Sequence, residues 1–102
     1  MEKEIAGVNI TMNDEGYFTD PQQWNEAVAE EIAKEEGIEL TSKHFEVLNF
    51  LRNQFLAGEG LTIRKVGNSG IVNIKELYQL FPGGPLKKSS RIAGIPKPSS
   101  CV

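Results

Sequence analysis

Cysteine is almost missing from this 102-residue sequence: Cys101 is the only one. Without a second thiol no disulfide can close inside the chain. An unpaired cysteine fits a reducing compartment better than an oxidising one, so a cytoplasmic location is expected. Histidine is also single, at His44. A metal site needs several nitrogen, sulfur or oxygen ligands at workable spacing, so no metal is expected. Gly83 and Gly84 lie between Pro82 and Pro85 rather than between a strand and a helix start, so no phosphate-cradling loop is present and no cofactor is expected. No apolar run approaches the roughly 20 residues of a membrane span. The opening Met-Glu-Lys-Glu-Ile lacks the basic and apolar regions of a secretory signal. No repeat of solenoid period is present.

What remains is ordinary globular composition, 39% hydrophobic and 25% charged, with length for one small domain. The net charge of −3 hides a gradient. Residues 1–40 hold eleven acidic side chains against Lys3 and Lys34, whereas residues 77–102 hold Lys87, Lys88, Arg91 and Lys97 and no acid. Two readings fit: a solvated acidic face with a basic tail, or a positive field suited to an anionic partner or nucleic acid.

Residues 5–12 alternate weakly and contain β-branched side chains, residues 13–16 (Asn-Asp-Glu-Gly) are turn chemistry, and Tyr17 and Phe18 can form a return strand, so a small hairpin is predicted there. Asp20 and Pro21 open a helix, with Gln23 placed as in a capping box. Trp24, Ala27, Val28 and Ile32 follow at helical spacing, the glutamates take the wet face, and Gly37 ends the helix. Thr41 or Ser42 caps a second helix whose stripe is Phe45, Leu48, Leu51, Phe55 and Leu56, widened by Val47 and Phe50. Residues 61–66 fit a short helix or an extended link. Asn73 and Glu76 begin a helix over about 74–80, with Ile74, Leu77, Tyr78 and Phe81 as candidates for burial. Pro85 starts one or two further turns, and Gly94 releases the tail. Pro96 and Pro98 bias Ile95 and Lys97 away from helix. The expected organisation is a mainly α (α+β) fold: a small orthogonal helical bundle with an N-terminal hairpin over residues 1–93, and a mobile C-terminal arm over residues 94–102.

Few side chains point to chemistry. His44 reads as a surface or capping residue, the acids of the first helix as a solvated face, and Trp24 and the phenylalanines as core. Cys101 is different, because a thiolate is a nucleophile whose reactivity follows field and exposure. Arg91 and Lys97 favour the thiolate and the α-carboxylate of Val102 opposes it; spacing alone does not rank them, nor does it exclude an incidental exposed cysteine.

The run Leu80-Phe81-Pro82-Gly83-Gly84-Pro85, followed by Ala93-Gly94-Ile95-Pro96-Lys97-Pro98 and by Cys101-Val102, resembles the DsrC/TusE family of small sulfur-carrier proteins. Asp14 to Tyr17, the Trp24 helix, Glu36 to Thr41, His44-Phe45, Leu51-Arg52 and Ile63-Arg64 are similar to the family pattern as well, so the resemblance covers nearly the whole chain. It implies orthogonally packed helices, an N-terminal hairpin and a mobile arm whose cysteine, Cys101 here, carries a persulfide in a sulfurtransferase-type transpersulfidation. Arg64 matches a family position and is expected near the arm's docking place. Members that act with dissimilatory sulfite reductase usually have a second arm cysteine eleven residues earlier. Ser90 stands there in this chain, which implies the single-cysteine, TusE-like branch.

The partners so implied are a TusBCD- or DsrEFH-like donor complex and, as acceptor, a thiouridylase making 2-thiouridine in tRNA or a sulfite reductase. No membrane and no directly bound nucleic acid are expected. Two other readings stand beside sulfur relay. One is a gamma-subunit-like partner of sulfite reductase. The other is a regulatory or DNA-binding relative without sulfur transfer, weakened by the acidic or mixed character of the longest helices.

Overall fold

The computed structural model describes residues 2–97. Its first element is a tight hairpin, β1 (Glu2–Ile5) antiparallel to β2 (Val8–Thr11), with Glu2 opposite Thr11 and Ile5 opposite Val8. The turn is Ala6 and Gly7, both left-handed at φ 50° and 80°. Positive φ at both positions gives the twist that two-residue hairpins need. Gly7 takes it freely, while Ala6, with its Cβ, is strained by about 1 kcal/mol. The hairpin therefore exists but lies N-terminal to its predicted place. Alternation through residues 5–12 reads as one strand because alanine carries no turn signal. The predicted return strand is reduced to a single bridge between Met12 and Phe18. The turn before it forms as expected, with Asn13 Oδ1 accepting from the amides of Glu15 (2.9 Å) and Tyr17 (3.0 Å).

The predicted first helix is divided in two. Asp20 caps a single 3-10 turn, Pro21–Gln23, by accepting from Gln22 N at 3.0 Å. Trp24 is then extended, and Asn25 caps a fresh helix, α1 (Glu26–Glu35), by accepting from Val28 N at 2.9 Å. Gln23 does not close a capping box. Its amide pairs with Thr11 instead, accepting from the backbone N–H at 2.7 Å. Val28, Ala29, Ile32 and Ala33 face the core, while Ala27 is exposed. Ile38 N donates to Ala33 O and Gly37 N to Lys34 O, a Schellman stop.

The second helix, α2 (Ser42–Leu56), begins with His44 returning to Thr41: Nδ1 lies 3.0 Å from Thr41 N and Nε2 3.0 Å from Leu80 O. The ring sits in a buried cap and also meets the Phe81 ring edge-on. Val47, Leu48 and Leu51 are fully buried, but Leu56 is 65% exposed and falls outside the stripe. Residues 61–66 resolve as helix: α3 (Ile63–Gly67), capped by Thr62. The next helix, α4 (Ile74–Leu80), carries the predicted Asn73–Glu76 capping box. Of its predicted core residues, Leu77 and Phe81 are buried, whereas Ile74 and Tyr78 lie exposed on the outer side. Last comes α5 (Pro85–Ile92), which buries Leu86, Ser89, Ser90 and Ile92. Gly94 and Ile95 are buried as well, Ile95 at 1% exposure, so packing continues two residues past position 93. Among the described residues, no helix is long and apolar enough to cross a membrane.

Candidate functional site: the exit of the last helix

Cys101 lies outside the described residues. The structure describes the backbone that precedes the cysteine in sequence, as far as Lys97. Two residues from distant parts of the sequence hold that backbone. Trp24 leaves the helical path and its indole N–H donates to Ile92 O at 2.7 Å. Arg52, on α2, donates from one guanidinium nitrogen to Ala93 O and from the other to Pro21 O, both at 2.9 Å. The same guanidinium stacks 4.3 Å from the Trp24 ring centre. Gly94, at φ +70°, lies so close beneath the indole that a Cβ there would come within 2.4 Å of Trp24 Cδ1.

The chemistry of this clamp follows from its position. The last carbonyls of a helix have no partner within it and form its negative end. A planar guanidinium satisfies two carbonyls at once and presents a flat face to an aromatic ring. Burial pushes the Arg52 pKa below its ordinary value by desolvation. Arginine remains charged through this change, so the site holds a half-buried cation on neutral acceptors. Such charge-assisted bonds contribute about 1.5–3 kcal/mol each, and the cation–π contact about 1 kcal/mol.

The predicted supporting cations are placed differently. Arg91 forms an ion pair with Glu36 and reaches Gly16 O at 3.5 Å; Lys88 approaches the other Glu36 oxygen at 3.8 Å. Lys97 Nζ donates to both Glu15 oxygens, at 2.9 and 3.2 Å. Arg91 and Lys97 are thus brought to the same loop, residues 13–16, each engaged by a carboxylate. Arg64 is on the exposed side of α3, an element packed against α2 and α4. Ser90 is fully buried, and its hydroxyl has no hydrogen-bond partner among the described residues. Among those residues no group of three or more histidine, cysteine, aspartate or glutamate side chains is gathered as for a metal.

Sequence reasoning missed the clamp. Trp24 read as core, and Arg52 entered only as part of a matching pair of letters. The available signal was a cation set beside Leu48 and Leu51 on the apolar arc of α2, together with the only tryptophan of the chain.

Fold and site together define a small helical body with an N-terminal hairpin, in which Trp24 and Arg52 hold the backbone at Ile92 and Ala93. The family described as "DsrC like protein" matches residues 4–102, and this chain belongs to that family. Its relatives include the Sulfurtransferase TusE of Salmonella typhimurium, 38% identical over 96% of this chain and 97% of that protein. The Sulfurtransferase TusE of Escherichia coli K12 is 36% identical over the same shares. Among solved structures, Allochromatium vinosum DsrC superposes with a TM-score of 0.83 at 35% identity, covering 100% of both chains. The oxidized gamma-subunit of the dissimilatory sulfite reductase (DsrC) from Archaeoglobus fulgidus does so with a TM-score of 0.83 at 34% identity, again over 100% of both.

Proposed function

We propose that this protein is a cytoplasmic sulfur-relay protein that carries sulfane sulfur as a persulfide on Cys101. The observation that carries this reading is the near full-length similarity to proteins named Sulfurtransferase TusE, in a chain with one thiol on its C-terminal segment. The reaction is transpersulfidation. The Cys101 thiolate attacks the outer sulfur of a donor persulfide, a new sulfur–sulfur bond forms, the donor's own sulfur–sulfur bond breaks, and the donor thiolate leaves. An acceptor thiolate then attacks the same outer sulfur and the Cys101 thiolate leaves, so the sulfur moves with no net oxidation of the carrier. Rate follows thiolate fraction, leaving-group pKa and access. Arg91, Lys97 and Arg64 serve as cationic contacts for an acidic donor surface, those of Arg91 and Lys97 becoming available when Glu36 and Glu15 release them. The donor is a TusBCD-like complex and the acceptor a thiouridylase acting toward 2-thiouridine in tRNA.

Ser90 supports this branch over a gamma-subunit role, because a serine cannot join Cys101 in a disulfide. Its burial inside α5 also leaves its hydroxyl no route to a partner protein. The decisive experiment is mass spectrometry of the intact chain after incubation with a persulfide donor. The expected result is a gain of one sulfur atom that is lost in Cys101→Ser. Unmodified protein under conditions that load another persulfide carrier would overturn the reading. A stable heterodisulfide with sulfite reductase and no sulfur gain would favour the gamma-subunit alternative, and a complex with DNA that survives physiological salt would favour the regulatory one.

A further inference from the structure

We propose that Arg52, stacked on Trp24, is a positioning residue for sulfur transfer: it fixes where and in which direction the Cys101-bearing segment leaves the body. The proposal rests on the reading of Cys101 as a carrier, and extends it to residues far from that thiol in sequence.

Four observations converge on one spot. Ile92 O and Ala93 O accept from Trp24 and Arg52, and at the next residue, Gly94, a Cβ would collide with Trp24. Arg52 also holds Pro21 O, so the exit is tied to the segment that positions Trp24 itself. Ile95 follows directly and is anchored in the core at 1% exposure. No carboxylate shares the Arg52 guanidinium among its hydrogen-bond partners in the described residues, so its bonding capacity is committed to backbone carbonyls. A cation serving only surface charge balance does not require this geometry; a clamp on backbone direction does.

The consequence is a tether with a fixed origin. Cys101 stands six positions after Ile95, so covalent geometry confines its Cα to about 20 Å from that anchor. A tethered group has an effective concentration set by its origin and reach. Arg52 and Trp24 thereby set the origin from which that reach is measured, and a protein partner of fixed shape depends on that origin. The thiol's encounter with a small, freely diffusing reagent does not depend on it.

The chain carries its own probe, one tryptophan at the clamp and one cysteine on the segment. Time-resolved energy transfer from Trp24 to a fluorescent acceptor attached at Cys101 reports the distance distribution between exit and thiol, with acceptor-free protein of each variant as reference. Arg52→Ala and Arg52→Lys are expected to broaden the distribution relative to the parent. Val66→Ala, a core control on α3, is expected to keep the parental width when all proteins are held well below their melting temperatures. An unchanged width in both Arg52 variants overturns the proposal.

The second measurement is the ratio of two sulfur-loading rates of Cys101, from a persulfidated donor complex of the TusBCD type and from inorganic polysulfide. The ratio is expected to fall about tenfold in Arg52→Ala and in the milder Trp24→Phe, which keeps an aromatic ring but loses the bond to Ile92 O, and to hold in Val66→Ala. An unchanged ratio, or an equal loss in the control, overturns the proposal. If polysulfide fails to load the parent at Cys101, the carrier reading falls, while the distance distributions still decide whether Arg52 sets the exit.

Discussion

Two groups of cations surround the last helix, and they are held in opposite ways. On one side Arg52 is half-buried, bound to neutral carbonyls and covered by an indole. On the other, Arg91 and Lys88 meet the partly buried Glu36, and Lys97 meets the exposed Glu15. Exposed ion pairs contribute about 0–1 kcal/mol and weaken with salt. Charge-assisted bonds to buried carbonyls are screened far less. The same residue types therefore make a fixed joint on one side and a set of releasable contacts on the other. The joint at Ala93 and the exposed Lys97–Glu15 pair lie four residues apart on one stretch of backbone.

The largest expected effect tests whether the exit tolerates any change of shape. Gly94→Ala places a Cβ against Trp24 on a left-handed backbone, and is expected to cost about 3 kcal/mol in urea unfolding. A cost under about 1 kcal/mol would mean that Trp24 yields easily, and the contrast with the rim would weaken. Next, Arg52→Ala is expected to cost about 2–3 kcal/mol with little salt dependence between low and high ionic strength. Arg91→Ala, which removes a partly buried ion pair with Glu36, is expected to cost about 1 kcal/mol, with a smaller cost at high salt. If the two arginines respond alike to salt, their distinction fails.

Ser90→Ala tests the apolar interior between these groups. Its hydroxyl is buried without a partner among the described residues, so removing it is expected to stabilise the fold by about 1 kcal/mol, read as a higher melting temperature. Destabilisation would show that the hydroxyl is satisfied after all. The smallest effect belongs to Lys97→Ala, whose exposed pair with Glu15 is expected to be worth less than about 0.5 kcal/mol.

Helix-end signals are legible in the sequence because their physics is local. Asp20 with Pro21, Asn73 with Glu76, the stop at Gly37 and the start at Pro85 each satisfy helix ends within a few residues, and each is found in the structure. The hairpin was placed too late because Ala6 adopts a turn conformation that its type seldom takes. Trp24 was assigned to a helix because its spacing fits one. In the structure Trp24 is extended between two caps, and its indole N–H donates to a carbonyl 68 residues away. Ile74 and Tyr78 fit a buried face by period, yet α4 turns its Leu77 side to the core and leaves both exposed.

The candidate site divides along the same line. Composition and motif spacing establish from the letters alone a helical body, a lone thiol at Cys101 and the absence of a second thiol at position 90. Those properties need no knowledge of which segments touch. The clamp joins residues 24, 52 and 92–94, across separations of 68 and 41 residues, and periodicity carries no information over such distances. Whether an arginine on an apolar arc faces water or seizes the carbonyls of another helix depends on how α2 packs against α5, and so on burial and geometry that exist only in the folded chain.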